Sequence, residues 1–103
     1  MFSRRERLPR AQFPAALKHG RRLSSKHFMV VLPEEARGYA VIIPKKVVRL
    51  SAARHALKRR VLEALRTFPL PPALIVFPRA SASSVNYQDL RAELSSLLSN
   101  SRT

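Results

Sequence analysis

Residues 51–68 carry the longest helical pattern of apolar side chains in the sequence. The apolar positions recur mostly at intervals of three or four residues, which places them in one stripe along a helix. They are Ala53, Leu57, Val61, Ala64, Leu65 and Phe68. The pattern predicts an amphipathic helix with Ser51 as its N-cap, and the prolines within 69–72 predict a sharp end.

Two short runs, 27–32 and 39–43, are rich in valine, isoleucine and aromatic residues, which is typical of β-strands. Residues 33–38 between them have the composition of a turn, so we expect the two strands to pair as an antiparallel hairpin. Residues 47–49 fit either a short third strand or an extended connection. The continuous apolar run 73–77 predicts a fully buried strand.

Two further helices are predicted near the ends of the sequence. A short one either starts near Phe13 or is kinked there by Pro14. A longer one is capped by Asn86, with Asp89 three residues on. The apolar stripe of the longer helix is Leu90, Leu94, Leu97 and Leu98. The order is helix, two or three strands, helix, strand, helix. It predicts a single α+β domain over residues 1–103, with one sheet packed against helices.

The charge of the chain is strongly positive. Lys and Arg number 20 against 6 acidic residues, which gives a net charge of +14. Residues 1–12 form a basic arm that we expect to become ordered on a partner. Such an excess opposes folding, and nucleic acid is the leading explanation because phosphate contacts release counterions.

Other partners and compartments fit the sequence less well. No apolar run approaches the length of a membrane-spanning helix, and no apolar segment of a signal peptide follows the first arginines. The absence of cysteine removes disulfides and thiolate metal sites. We therefore expect a cytoplasmic protein that binds RNA or DNA and does not bind a membrane.

Basic residues crowd the first turns of the helix predicted at 51–68. They are Arg54, His55, Lys58, Arg59 and Arg60. A helix N-terminus carries partial positive charge and favours acidic residues, so stability alone does not place them there. A solvated charged face is the alternative, but an anionic partner explains the whole cluster better. Arg54 is expected to add little to the stability of the isolated fold.

Few residues could carry direct catalysis. Asp89 and Glu93 lie one helical turn apart and could share a metal, although negative charge early in a helix also suits its dipole. The 3 histidines lack the spacing of metal ligands. Ser51 is better explained as a helix cap than as a nucleophile. No catalytic residue and no metal site is predicted.

Several spaced blocks resemble the bacterial ribonuclease P protein family. Residues 43–46 read Ile-Pro-Lys-Lys, and residues 54–63 are similar to that family's Arg-Asn-x-x-Lys-Arg-x-x-Arg-Glu helix. The opening block 7–28 and the strand end at 77–79 are also similar to their counterparts in the family. The resemblance covers almost the whole chain, in order.

The resemblance implies a mixed sheet and a central helix reached by a left-handed crossover. It also implies the protein subunit of a tRNA-processing endonuclease, in which the RNA subunit supplies the active site and holds most of the Mg²⁺. Ribonuclease P RNA and precursor tRNA would be the partners, with no obligate protein partner evident. The implied RNA-binding residues are Lys45, Lys46, Arg49, Arg54, His55, Lys58, Arg59 and Arg60. The implied cleft for the 5′ leader of precursor tRNA is lined by Phe13, Leu17, Met29 and Val31.

The sequence departs from the family pattern at five positions that concern RNA. His55 replaces the usual asparagine, Ala56 stands where arginine is frequent, and Leu62 replaces a signature arginine. Leu17 and Val31 stand where aromatic residues are common, so binding of the leader backbone is better supported than stacking on its bases. Core packing is the alternative role for the four cleft residues. The alternative functions are a structural RNA-binding protein such as a small ribosomal protein, a metal-dependent nuclease acting alone, and a DNA-binding module.

Overall fold

The computed structural model describes residues 8, 13–33, 38–71 and 73–99. Its elements, in order, are α1 (Phe13–His19), β1 (Arg21–Ser24), β2 (Phe28–Leu32), β3 (Gly38–Val41), α2 (Ser51–Leu65), β4 (Ala73–Pro78), a 3₁₀ helix (Ala80–Ser84) and α3 (Tyr87–Ser99). The predicted α+β class is confirmed. The predicted basic arm, apart from Leu8, and most of the predicted turn at 33–38 lie outside the described residues.

The four strands form one mixed sheet in the order β1-β2-β4-β3. Strand β2 lies antiparallel to both β1 and β4, whereas β3 lies parallel to β4. The predicted hairpin between 27–32 and 39–43 is therefore wrong, because β4 lies between these strands. Strand β4 is the most continuously apolar strand, and the sheet buries it best at an inner position. Helix α2 connects the parallel pair β3 and β4, and the left-handed sense of this crossover stays a prediction.

Strand β1 is an edge strand that the hydrophobic pattern did not predict. Its sequence is Arg-Arg-Leu-Ser, and only Leu23 is half-buried while the other three residues are exposed. It pairs with β2 from Arg21 opposite Leu32 to Ser24 opposite Met29. A strand with so little burial has no alternating apolar pattern, so its partner strand, and not its own sequence, defines it.

Each face of the sheet has its own apolar core. Helices α2 and α3 cover one face, where Phe28, Val30, Leu74 and Val76 are fully buried. Helix α1 and Leu8 cover the other face, above Val31 and Ile75. Successive residues of β2 therefore alternate between the two cores, with Phe28 and Val30 in one and Val31 in the other. Because β4 is buried from both sides, its apolar run is continuous.

Helix α2 begins with Leu50 as its N-cap, so the prediction that Ser51 is the cap is wrong. The backbone N–H of Arg54 donates to the carbonyl oxygen of Leu50 at 3.0 Å, which makes Ser51 the first helical residue. Leu50 makes no side-chain cap hydrogen bond. It is also 74% exposed. Helix α2 therefore starts without the side-chain acceptor that most helices have at this position.

The apolar stripe of α2 is confirmed at four of its six predicted positions, where Leu57, Val61, Ala64 and Leu65 are buried. The outer members, Ala53 and Phe68, are half-buried. Leu62 also belongs to the buried side of α2, with 8% of its surface exposed. The family pattern has an arginine at this position.

The end of α2 comes three residues earlier than the pattern predicted. Thr67 bonds the carbonyl oxygen of Ala64 through both its backbone N–H (3.1 Å) and its side-chain hydroxyl (2.7 Å). These bonds satisfy a terminal carbonyl of the helix and turn the chain away before the prolines.

The predicted last helix and its cap are confirmed. The backbone N–H of Asp89 donates to Oδ1 of Asn86 at 2.9 Å, and Nδ2 of Asn86 donates back to Oδ2 of Asp89 at 3.0 Å. This reciprocal pair fixes the start of α3. All four predicted stripe residues of α3 are buried, which packs the helix against α2 and the sheet.

Candidate nucleic-acid interface

The strand topology gathers four exposed basic residues at one end of the sheet. Strands β1, β3 and β4 all end there, and the antiparallel strand β2 begins there. The residues next to these strand ends are Lys26, Lys45, Lys46 and Arg79, and all four are exposed. We call this group the basic end of the sheet. The connection 42–50 leads from it into α2, so the basic first turns of α2 begin beside it.

Six of the eight predicted RNA-binding residues have exposed side chains. They are Lys45, Lys46, Arg49, His55, Lys58 and Arg59. The two lysines lie in a turn in which the backbone N–H groups of Val47 and Val48 donate to the carbonyl oxygen of Pro44, at 3.0 and 3.2 Å. Residues 47–49 are thus a connection and not a third strand. The turn holds both lysines in solvent, where they can contact phosphates.

Arg54 and Arg60 differ from the six exposed residues because each is half-buried and donates to backbone carbonyl oxygens. Nη1 of Arg54 donates to the carbonyl oxygens of Val48 (3.0 Å) and Arg49 (2.8 Å). These bonds close the connection 42–50 onto the first turn of α2. The expectation that Arg54 adds little to the isolated fold is therefore corrected. A guanidinium has five N–H donors, and these bonds use Nη1 alone.

Arg60 lies on another side of α2. Six helical positions separate it from Arg54, which corresponds to a rotation of about 120° around the axis. Arg60 is half-buried, and its Nη2 donates to the carbonyl oxygen of Val85, between the 3₁₀ helix and α3. The structure therefore does not bring Arg60 together with Arg54 and Lys58 on one side of the helix. Its contact with RNA stays a prediction.

The four predicted cleft residues lie on the face of the sheet that carries α1. Phe13 and Leu17 are half-buried and pack against the core that contains Val31. Val31 is itself fully buried. Met29 is half-buried and pairs with Phe77 of β4. Phe13, Leu17 and Val31 therefore lie in one apolar cluster. Met29 lies on the same face of β2, two residues from Val31 toward the basic end.

The described carboxylates on α3 are occupied by structural contacts. Glu93 accepts hydrogen bonds from Oγ of Ser25 (2.5 Å) and from the backbone N–H of His27 (2.8 Å). Asp89 belongs to the cap of α3. Within the described ranges, no group of three His, Cys, Asp or Glu side chains is placed to hold a metal ion.

The family model for ribonuclease P matches residues 2–102. This chain belongs to the ribonuclease P protein family. Membership assigns it to a tRNA-processing ribonuclease and implies ribonuclease P RNA as its partner. No curated protein sequence matches the chain.

Solved structures of ribonuclease P proteins share this fold. The Thermotoga maritima protein is 27% identical, with 92% of this chain and 96% of that chain covered and a TM-score of 0.78. A mutant ribonuclease P protein from Staphylococcus aureus with defective mRNA degradation activity is 20% identical. The match covers 95% of this chain and 89% of that chain, with a TM-score of 0.80. Another S. aureus structure, also 20% identical, has 90% and 91% covered and a TM-score of 0.73. These likenesses agree with a single mixed α+β domain.

The described helices are all too short or too polar to cross a membrane. This finding concerns only the part of the chain that the structure describes.

Three residues at the candidate interface were not predicted as site residues: Lys26, Phe77 and Arg79. Lys26 precedes β2, Phe77 lies near the end of β4, and Arg79 follows β4; the antiparallel pairing of β2 with β4 brings the three together at the basic end. The predicted hairpin assigned no partner strand to residues 73–77, so it did not bring Phe77 and Arg79 beside Lys26. The only signal in the sequence was the position of each basic residue next to an apolar run.

Proposed function

We propose that this chain binds ribonuclease P RNA and the 5′ leader of precursor tRNA, and so assists the endonucleolytic 5′ maturation of tRNA in the cytoplasm. In this proposal the RNA subunit performs the hydrolysis and holds the Mg²⁺. The protein supplies positive charge and a surface for single-stranded RNA.

The observation that carries the proposal is the basic end of the sheet. Its four exposed cations come from three separate segments of the chain, and it lies beside the first turns of α2 and a half-covered apolar face. Cations track a phosphate backbone, while apolar and aromatic groups contact unpaired bases. The two carboxylates of α3 are occupied, Asp89 by the cap of that helix and Glu93 by its contact with the turn before β2, which supports a role in binding over a role in catalysis.

Reconstitution tests the proposal. The full-length protein is combined with a bacterial ribonuclease P RNA at near-physiological Mg²⁺ and assayed on precursor tRNA. We expect the protein to stimulate cleavage at the mature 5′ end, and to cleave nothing without the RNA. RNA-free protein that cuts at the mature 5′ end would overturn the assignment of catalysis to the RNA.

Two measurements, stimulation of precursor processing and preference for RNA over duplex DNA, separate the proposal from its alternatives. A structural RNA-binding protein would bind the RNA without stimulating precursor processing. A DNA-binding module would prefer duplex DNA to structured RNA, since a basic helix can also enter a major groove. We expect stimulation of processing, together with preference for ribonuclease P RNA over duplex DNA at equal ionic strength.

A further inference from the structure

Among the residues that the structure describes, α1 and Leu8 cover only part of the sheet face on which α1 lies. Strand β4 has 6 residues and spans about 20 Å. Helix α1 has 7 residues and is about 10 Å long. Ile75 of β4 is fully buried in the core below α1, whereas Phe77, two residues along the same face, is half-buried. Phe77 packs against this core and leaves part of its ring exposed to solvent.

Phe77 has apolar neighbours on both adjacent strands. It pairs with Met29 of β2. On its other side, Ile42 continues the line of β3, and its backbone N–H donates to the carbonyl oxygen of Val76 at 2.9 Å. Met29 and Ile42 are half-buried as well. The three side chains form a shallow apolar row across the sheet, beyond the part of the face where Val31 and Ile75 are fully covered.

Phe77 is the one aromatic residue that the described strands place on this face, since Phe28 and Tyr39 pack in the core on the opposite face. The row also lies at the basic end of the sheet. Arg79 is exposed and lies two residues after Phe77 in extended backbone. The exposed Lys45 and Lys46 lie three and four residues after Ile42. Rings that stack on bases, beside cations that contact phosphates, are how proteins hold single-stranded nucleic acid.

We propose that Phe77, with Met29 and Ile42 beside it, forms a stacking site for an unpaired nucleobase of the 5′ leader. The inference rests on the proposed function, because it requires the leader to lie along this face. The resemblance places cleft aromatics at Leu17 and Val31, which are aliphatic here. Phe77 supplies the missing ring at a position nearer to the cations.

Fluorescence gives a direct test, because the sequence contains no tryptophan. The Phe77→Trp variant has one indole at the proposed site, and Phe68→Trp has one at a half-buried position on the opposite face of the sheet. Each variant is assembled with a bacterial ribonuclease P RNA and titrated with precursor tRNA. We expect precursor with a normal leader to quench Phe77→Trp, while an abasic leader, which keeps the phosphates, does not. Phe68→Trp should respond to neither.

Binding measurements give the second test. Stacking on one base contributes about 1–3 kcal/mol, so Phe77→Leu should weaken holoenzyme binding of normal precursor by roughly 5- to 150-fold. The same variant should bind precursor with an abasic leader as wild type does, because the stacking partner is already absent. Phe68→Leu, the matched control, should leave leader binding unchanged. Assembly with ribonuclease P RNA should be unaffected by either change.

The outcomes distinguish the inference from the proposed function. A wild-type holoenzyme that binds precursor no better than mature tRNA contradicts the proposed function. A wild-type preference for precursor that survives Phe77→Leu, or equal losses with normal and abasic leaders, overturns the stacking site alone. If Phe77→Leu does not fold, the fluorescence of Phe77→Trp decides: no base-dependent quenching there also overturns the inference.

Discussion

Nη1 of Arg54 lies 3.0 Å from the carbonyl oxygen of Val48, so a residue of the ribonuclease P signature helix also closes the connection that leads into that helix. The same atom donates to the carbonyl oxygen of Arg49 at 2.8 Å. Arg54 therefore has a structural role in the free protein, whatever contact it makes with RNA. Substitution of Arg54 affects both, and the two effects need separate measurements.

Stability of the free protein should distinguish Arg54 from Lys58, which lies one turn further along α2. We expect Arg54→Ala to lower the free energy of unfolding by about 1–2 kcal/mol, because two carbonyl groups lose a charged donor at a partly exposed site. Lys58 is exposed, and Lys58→Ala should change stability by less than about 0.5 kcal/mol. Urea denaturation of the three proteins measures the difference. Equal stability of all three would show that the two hydrogen bonds contribute nothing.

RNA affinity should depend on Arg54 and Lys58 more than on Arg66, although all three lie on or at the end of α2. We expect Arg54→Ala and Lys58→Ala each to weaken assembly with ribonuclease P RNA, or leader binding, more than Arg66→Ala does. Arg66 caps the far end of α2, about 18 Å along the axis from Arg54. Filter binding at one fixed salt concentration makes the comparison. Equal losses for all three would indicate a diffuse field of charge instead of a localised surface.

The start of α2 offers a stabilising substitution. Leu50 is the N-cap, is 74% exposed and makes no side-chain cap hydrogen bond. In Leu50→Ser a hydroxyl can accept from a free N–H of the first turn, so we expect a gain of about 0.5–2 kcal/mol in the free energy of unfolding. Leu50→Ala, which adds no acceptor, is the control and should be near neutral. A gain in both variants would mean that removal of the exposed leucine, and not capping, is the cause.

The sequence was most informative where burial is periodic. The stripes of α2 and α3 were predicted almost residue by residue, because a helix buried along one side must repeat its apolar positions. The strand at 73–77 was predicted for a related reason, since a strand covered on both faces has no polar alternation. The cap of α3 was also predicted, because Asn86 and Asp89 interact locally.

Strand pairing was not predictable in the same way. The segments 27–32 and 39–43 are consecutive strands in the sequence, which favours a hairpin. In the structure β4 lies between them, because this inner position buries its apolar side chains on both faces of the sheet. The edge strand β1 lacked an apolar pattern altogether. Because β4 lies between β2 and β3, Phe77 and Arg79 join the lysines at the basic end of the sheet, and this grouping could not be predicted without the partners of β4. The hydrogen bonds of Arg54 and Arg60 to backbone carbonyl oxygens were not predicted for another reason. Every residue has a carbonyl group, so the sequence does not indicate which one accepts.

Glu93 should stabilise the contact between α3 and the turn that precedes β2. It accepts from Oγ of Ser25 and from the backbone N–H of His27. We expect Glu93→Ala to lower the free energy of unfolding by about 1–3 kcal/mol, because two partly buried donors lose a charged acceptor. Glu63, which is exposed on α2, provides the control, and Glu63→Ala should change stability by less than about 0.5 kcal/mol. Thermal unfolding of both variants measures this, and equal shifts would attribute the effect to net charge.

Salt dependence should show how many phosphates the basic end contacts. Each neutralised phosphate of a single strand contributes about −0.7 to the slope of log affinity against log salt. With a net charge of +14, wild-type protein should bind single-stranded leader RNA with a steep slope, and a nearly flat titration would contradict a phosphate-binding surface.

Removal of Lys45 and Lys46 together, as the double Lys→Ser variant, should make that slope shallower by roughly 1.4, because two phosphate contacts are lost. The control changes Lys18 and Arg66 to serine, which removes the same charge at exposed sites outside the basic end. If binding depends on net charge alone, both double variants should lose affinity and slope equally. If the turn that holds the lysines contacts the backbone directly, only the first should lose slope, and the control should lose affinity slightly at low salt, where screening is weak.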